Sequence, residues 1–270
     1  MKKSLCLLLT AALASTAALA QPSLSEVVAS EFRQPDNVKR DLYRHPAETL
    51  NFLGLQPDQT VIELWPGGSA WYAEIIAPYL ASSGHYVAAN FNVNKPESEK
   101  GARFYRDAGL KFSQWLASNR DKLGNRASEV VLDPPAHLTL GPDASADMVL
   151  TFRNLHNWAS NGQLDAVFGA AFAVLKPGGI LGVVEHRAAP GMTIESGYMD
   201  ETQMIAAAQQ AGFVLEAKSE INANPKDTKD YEKGVWTLPP RLALGEQDKA
   251  RYLGIGESDR MTLKFVKKAD

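Results

Sequence analysis

The stretch "VIELWPGGSAW" (61–71) places an acid, Glu63, at the end of an apolar run and follows it with a turn of Pro66, Gly67, Gly68 and Ser69. An amphipathic stretch, 70–80, comes next. Backbone N–H groups of such a turn, at the start of a helix, suit a carboxylate or another anion. Gly67 and Gly68 permit close backbone approach, and Glu63 could bind the loop or a ligand's ammonium. A second polar cluster, "TFRNLHNW" (151–158), offers Arg153, Asn154, His156 and Asn157. His156 is the best general-base candidate because imidazole titrates near neutrality; Arg153 can grip an anion with a planar fork of donors. The bland alternative for His156 is a packed or capping histidine. "EHR" (185–187) ends another apolar run and adds a second acid–base pair. Asn90 and Asp133 close two further runs and read equally well as turn formers.

Two other chemistries fail on spacing. Ser69 in "GGSAW" would be a nucleophile only with glycine two residues later, where Trp71 stands. For a metal, the five histidines show no close ligand spacing, and the only cysteine, Cys6, lies in the leader.

The elements that must position these residues alternate from residue 60 onward. Strands are expected near 60–65, 86–91, 128–132, 146–152, 179–185, 213–221 and 260–267. Helices are expected near 70–80, 97–107, 111–122, 162–175 and 200–211, after short ones over 23–32, 37–43 and 46–52. Asp200 caps the helix at 200–211 and Gly212 ends it; Asp147 reads as a structural start of its strand. Such alternation implies an α/β, Rossmann-like sheet, mainly parallel, with helices on both faces. The last strand follows a long irregular stretch, 222–259, and should enter antiparallel beside its predecessor. A stretch of that length is a functional lid or a disordered loop. Its Tyr231, Trp236, Leu238 and Tyr252 argue for a lid over the strand ends.

In the order of its landmarks the sequence resembles the class I S-adenosylmethionine-dependent methyltransferases, and most of all an exported, poorly characterised subgroup of them. The landmarks are the acid-ended first strand with its glycine turn, "HYVAANFN", "ADMVLTFRNLHNW", "LKPGG" and a late hairpin, over 60–266. The resemblance implies S-adenosylmethionine as cofactor and methyl transfer to a small-molecule acceptor. It assigns Glu63, Pro66, Gly67, Gly68 and Ser69 to the cofactor's methionine part, Asn90 to the ribose, Asp133 to the adenine, and catalysis to His156 and Arg153. The sequence departs from the family at Trp65 and Ser69, where glycines are usual, and at Asn90, where an acid is usual. A nicotinamide enzyme is disfavoured because Gly-x-Gly-x-x-Gly is incomplete. The alternative is an exported protein of this fold repurposed to bind a small molecule without methyl transfer.

The whole chain bounds the rest. Its 270 residues carry a net charge of −3 and no basic stripe, which argues against nucleic acid or anionic membrane as a main partner. Lys2 and Lys3 precede an apolar stretch, 5–19, and Ala18-Leu19-Ala20 offers small residues for cleavage before Gln21. A spanning helix needs roughly 20 apolar residues, so residues 1–20 read as a cleavable signal and the mature chain as periplasmic or secreted, without membrane insertion. That mature chain would have no thiol. Residues 21–59 form a helical segment, and 60–270 a methyltransferase-like domain carrying the 222–259 insertion.

Overall fold

The computed structural model describes residues 21–99 and 101–269, so the signal expected over 1–20 lies outside the described residues. Among those described, no helix is long and apolar enough to cross a membrane.

Seven strands form one sheet: β1 (Thr60–Leu64), β2 (His85–Asn90), β3 (Ala127–Val131), β4 (Ala146–Phe152), β5 (Leu175–His186), β6 (Phe213–Ser219) and β7 (Arg260–Lys267). Their order is β3-β2-β1-β4-β5-β7-β6. β1 to β5 pair in parallel. The expected antiparallel partnership of β7 with β6 is present, and β7 also pairs antiparallel with β5, so it is wedged between the two.

Side chains alternate across the central strands, and each face buries its own core. Ile62, Val149, Leu181 and Leu263 pack with Phe168 and Ala171 of the helix Leu164–Val174 and with Met204 of Glu201–Gln210. Val61, Met148, Leu150 and Val184 pack on the other face with Leu50 and Leu53, with Ile75 and Ile76 of the helix Ala73–Leu80, and with Phe112 and Leu116. Helices therefore cover both faces, which is why the inner strands read as continuous apolar runs.

Three boundaries differ from expectation for physical reasons. The helices expected at 97–107 and 111–122 are mostly one helix, Ala102–Ser118, followed by Arg120–Leu123. Gly109 does not break it; a Cβ there would come within 2.7 Å of Val93 Cγ1, so this glycine serves close packing. The "LKPGG" segment does not fully separate helix from strand. Leu175 already pairs with Ala146 and Ile180 with Met148, so residues 176–179 bulge opposite Asp147 alone. The side chain of Asp147 accepts from Thr60 N at 2.8 Å and from Lys176 Nζ at 2.6 Å, a structural role as expected. Asp200 caps its helix through Gln203 N at 2.9 Å.

A candidate active site at the switch point of the sheet

Chain order reverses between β1 and β4, and in open α/β sheets the crevice beyond the carboxyl ends at such a point is where ligands bind. A cleft of about 750 Å³ lies there. Glu63, Pro66, Gly67, Gly68 and Ser69 line it from β1 and the following turn, and Arg153, Asn154, His156 and Asn157 from the end of β4. The fold thus brings together seven of the nine residues that the resemblance assigns to cofactor binding or catalysis.

The turn is held from several sides. Gly67 has φ +74° with nothing within 4 Å of where a Cβ would stand, so its space opens on the cleft. Gly68 is a packing glycine as well: a Cβ would lie 3.2 Å from Ala108 backbone atoms. Asn154 Nδ2 donates to Leu64 O at 2.9 Å, tying the end of β4 to the end of β1. Asn37 Nδ2 donates to Ser69 O at 2.9 Å from the N-terminal segment.

Glu63 is 2 % exposed, and burial pushes its carboxyl up to about 7, although the Tyr86 hydroxyl (2.6 Å) and the charge of Arg153 both pull it down. Arg153 has φ +62°, a strained conformation of the kind that concentrates at functional sites. Behind it, Arg40, Arg44 and Arg260 converge on Glu257, with N···O distances of 2.6, 3.0 and 3.2 Å, and Arg153 stands 4.0 Å from the same carboxylate. Burial alone would raise the Glu257 carboxyl, but Arg44, Arg260, Arg153 and Arg40 outweigh it and hold it at about 2.

The carboxylate of Glu185, fully buried, accepts from Leu155 N at 2.7 Å, His186 N at 2.8 Å and His156 Nδ1 at 3.1 Å. A carboxylate there leaves Nε2 of His156 as the nitrogen free for the cleft. His186 also lines the cleft, with Nδ1 2.5 Å from Ser258 Oγ. Burial, then the charges of His156, Arg153, Arg260 and Arg44, hold its imidazole well below the usual range, so it stays neutral. His156, Glu185 and His186 place donor atoms within 4.8 Å of one another. Spacing along the chain does not show this grouping, which arises because the fold unites β5 with the helix after β4. The nearby arginines nevertheless oppose a cation, and the Glu185 oxygens already hold three donors.

Two residues singled out in the sequence do not line the cleft. Asn90 turns inward: Nδ2 donates toward Gly109 O, Ser113 Oγ and Glu129 Oε2, and Oδ1 accepts from Phe91 N. Asp133 is paired with Lys95 at 2.6 Å and accepts from Asn92 at 2.9 Å, in a separate hollow. Trp65 stands between. Its Nε1 donates to Leu132 O at 2.8 Å, and its ring lies 4.7 Å from Phe91, 5.3 Å from Tyr105 and 4.6 Å from Trp158. The indole is thereby a wall, with Tyr105, between the cleft and Asp133.

Several lining residues had little or no signal in the sequence. Phe104, Tyr105 and Lys111 come from the helix Ala102–Ser118, and Pro240 and Arg241 from the 222–259 segment, beside Trp236, which the sequence offers as part of a lid. Tyr72 lines the cleft from just past the loop. Arg44 is buried under the site, and the neighbouring His45 makes no side-chain cap for the helix Pro46–Leu53.

No protein-family model matches the chain, and neither does any curated protein sequence. Solved structures do. The chain has the class I methyltransferase fold. An S-adenosylmethionine-dependent methyltransferase from Aquifex aeolicus superposes with a TM-score of 0.52 at 14 % identity, over 74 % of this chain and 93 % of that one. A phosphoethanolamine N-methyltransferase from Haemonchus contortus, solved with S-adenosylmethionine, gives 0.56 at 13 %, over 91 % and 56 %. The [4+2]-cyclase SpnF gives 0.55 at 16 %, over 92 % and 93 %. A cyclase beside methyltransferases means that the reaction has to be argued from the site.

Proposed function

We propose that the protein transfers a methyl group from S-adenosylmethionine to a small-molecule acceptor. The observation that carries this reading is that Glu63, the glycine turn and Arg153 line one cleft at the switch point of a sheet of methyltransferase fold. A zwitterionic amino-acid end fits there: Glu63 for an ammonium and the turn's N–H groups for a carboxylate. The nucleoside end fits differently from the family pattern, because Asn90 and Asp133 are occupied elsewhere. Phe91, Phe104 and Tyr105 line the same cleft and offer flat apolar faces to a base.

When bound, the cofactor would supply an electrophilic methyl carbon on a sulfonium. The chain's own groups then orient and deprotonate. His156 Nε2, with Nδ1 anchored on Glu185, takes the proton of an oxygen or nitrogen acceptor. Trp236 and Arg241, from the 222–259 segment, narrow the cleft and exclude water.

The test is a screen of small metabolites for release of S-adenosylhomocysteine, followed by His156→Ala on any acceptor found. Turnover is expected to fall about 10²-fold, with affinity for S-adenosylhomocysteine changed less than about twofold. Wild-type turnover in the variant would assign the proton transfer to another group.

A further inference from the structure

Donors outnumber acceptors at one end of the cleft. Among the described residues, four guanidinium groups converge on the single carboxylate of Glu257. Arg153 makes no side-chain hydrogen bond there, and its closest carboxylate contact is the 4.0 Å approach to Glu257, although its fork carries five N–H donors. Arg44 is 1 % exposed, its Nη1 and Nη2 have no hydrogen-bond partner, and it lies 4.6 Å over the Trp71 ring. Tyr72 lines the cleft beside Arg153, its ring stacked on Phe152 at 3.5 Å, and its hydroxyl is unpaired among the described residues.

A buried guanidinium without an acceptor is costly, and a cluster with excess positive charge more so. Glu63 does not relieve it, since that carboxylate takes the Tyr86 hydroxyl. The missing partner is an oxyanion.

We propose that this end of the cleft is an oxyanion site, in which Arg153 and the Tyr72 hydroxyl hold a carboxylate or phosphate group of the methyl acceptor, with Arg44 behind them as fixed positive charge. The word "acceptor" rests on the methyl-transfer reading; the oxyanion site itself does not. The same chemistry has a second source, the carboxylate of the cofactor. One charge of that kind balances only part of the excess of four guanidinium groups over one carboxylate, so a second anion belongs beside it.

The experiment is calorimetric titration of the mature protein with inorganic phosphate and with acetate, alone and in saturating S-adenosylhomocysteine. Binding is expected in the millimolar range or tighter, unchanged within about threefold by S-adenosylhomocysteine. Tyr72→Phe, which keeps the stacked ring, should weaken it about fivefold, and Arg153→Gln at least tenfold. Arg103→Gln, which removes one charge from an exposed position, should not weaken it. No anion binding up to about 50 mM, or equal weakening in all three variants, overturns the site. Competition by S-adenosylhomocysteine overturns the acceptor assignment, because the group bound is then the cofactor's own carboxylate. If S-adenosylhomocysteine fails to bind while phosphate binds and is weakened in Tyr72→Phe, the methyl-transfer reading falls and the oxyanion site stands.

Discussion

Glu63 gives the site a pH dependence whose sign can be worked out. Burial raises its carboxyl to about 7, so between its ordinary value of 4.5 and about 7 the folded protein holds a proton that the unfolded chain releases. The contribution to stability is therefore greatest at low pH and declines as pH rises through that window. An ammonium group placed beside Glu63 favours the ionised form, so its binding must expel that proton below about pH 7. At pH 6, titration with S-adenosylhomocysteine in two buffers of different ionisation enthalpy should report roughly one proton released, and none in Glu63→Gln. Equal proton release in both would remove Glu63 from the ammonium's neighbourhood. The acid and its glycine turn were legible because both lie within eleven consecutive residues. Trp65 was visible as a departure, yet its effect was not: the wall it forms needs Leu132, Phe91, Tyr105 and Trp158, brought together only by the fold. Asn90 was legible by position alone, since nothing local shows which way an amide turns.

Among the elements, the 222–259 segment contains the short helices Gly234–Thr237 and Lys249–Ile255, and Tyr231, Leu238 and Tyr252 form a small core of their own. We propose that the segment closes as a unit over the cleft that Trp236 and Arg241 line. We expect cleavage by a protease between 226 and 233 to slow severalfold on saturation with S-adenosylhomocysteine. Unchanged cleavage would make the segment a fixed wall. The strands and most helices were legible from alternating apolar patterns and caps such as Asp200. The continuity of Ala102–Ser118 was not, because a glycine that breaks a helix and one that packs against Phe91 and Val93 look alike in sequence.

Across the whole molecule, the N-terminal helices are part of the site and not an appendage to it. Asn37 holds Ser69 O and, through its own carbonyl, Trp71 Nε1 at 2.8 Å, while Arg40 and Arg44 reach Glu257 more than two hundred residues away. Sequence division at residue 59 could not show this, since the partners meet only in the tertiary fold. The leader over 1–20 would carry this assembly out of the cytoplasm. Protein from a periplasmic extract should then begin at Gln21 on N-terminal sequencing, and an intact Met1 in the cytosolic fraction would contradict export. We propose that the cleft binds an adenosyl amino acid through Glu63 and the glycine turn. Calorimetry of the mature protein with S-adenosylhomocysteine tests it most directly. Saturable binding at one site per chain is expected, lost in Gly67→Val, whose branched side chain enters open space at φ +74°. No heat from the wild-type protein at millimolar concentration, or undiminished binding by Gly67→Val, would contradict it.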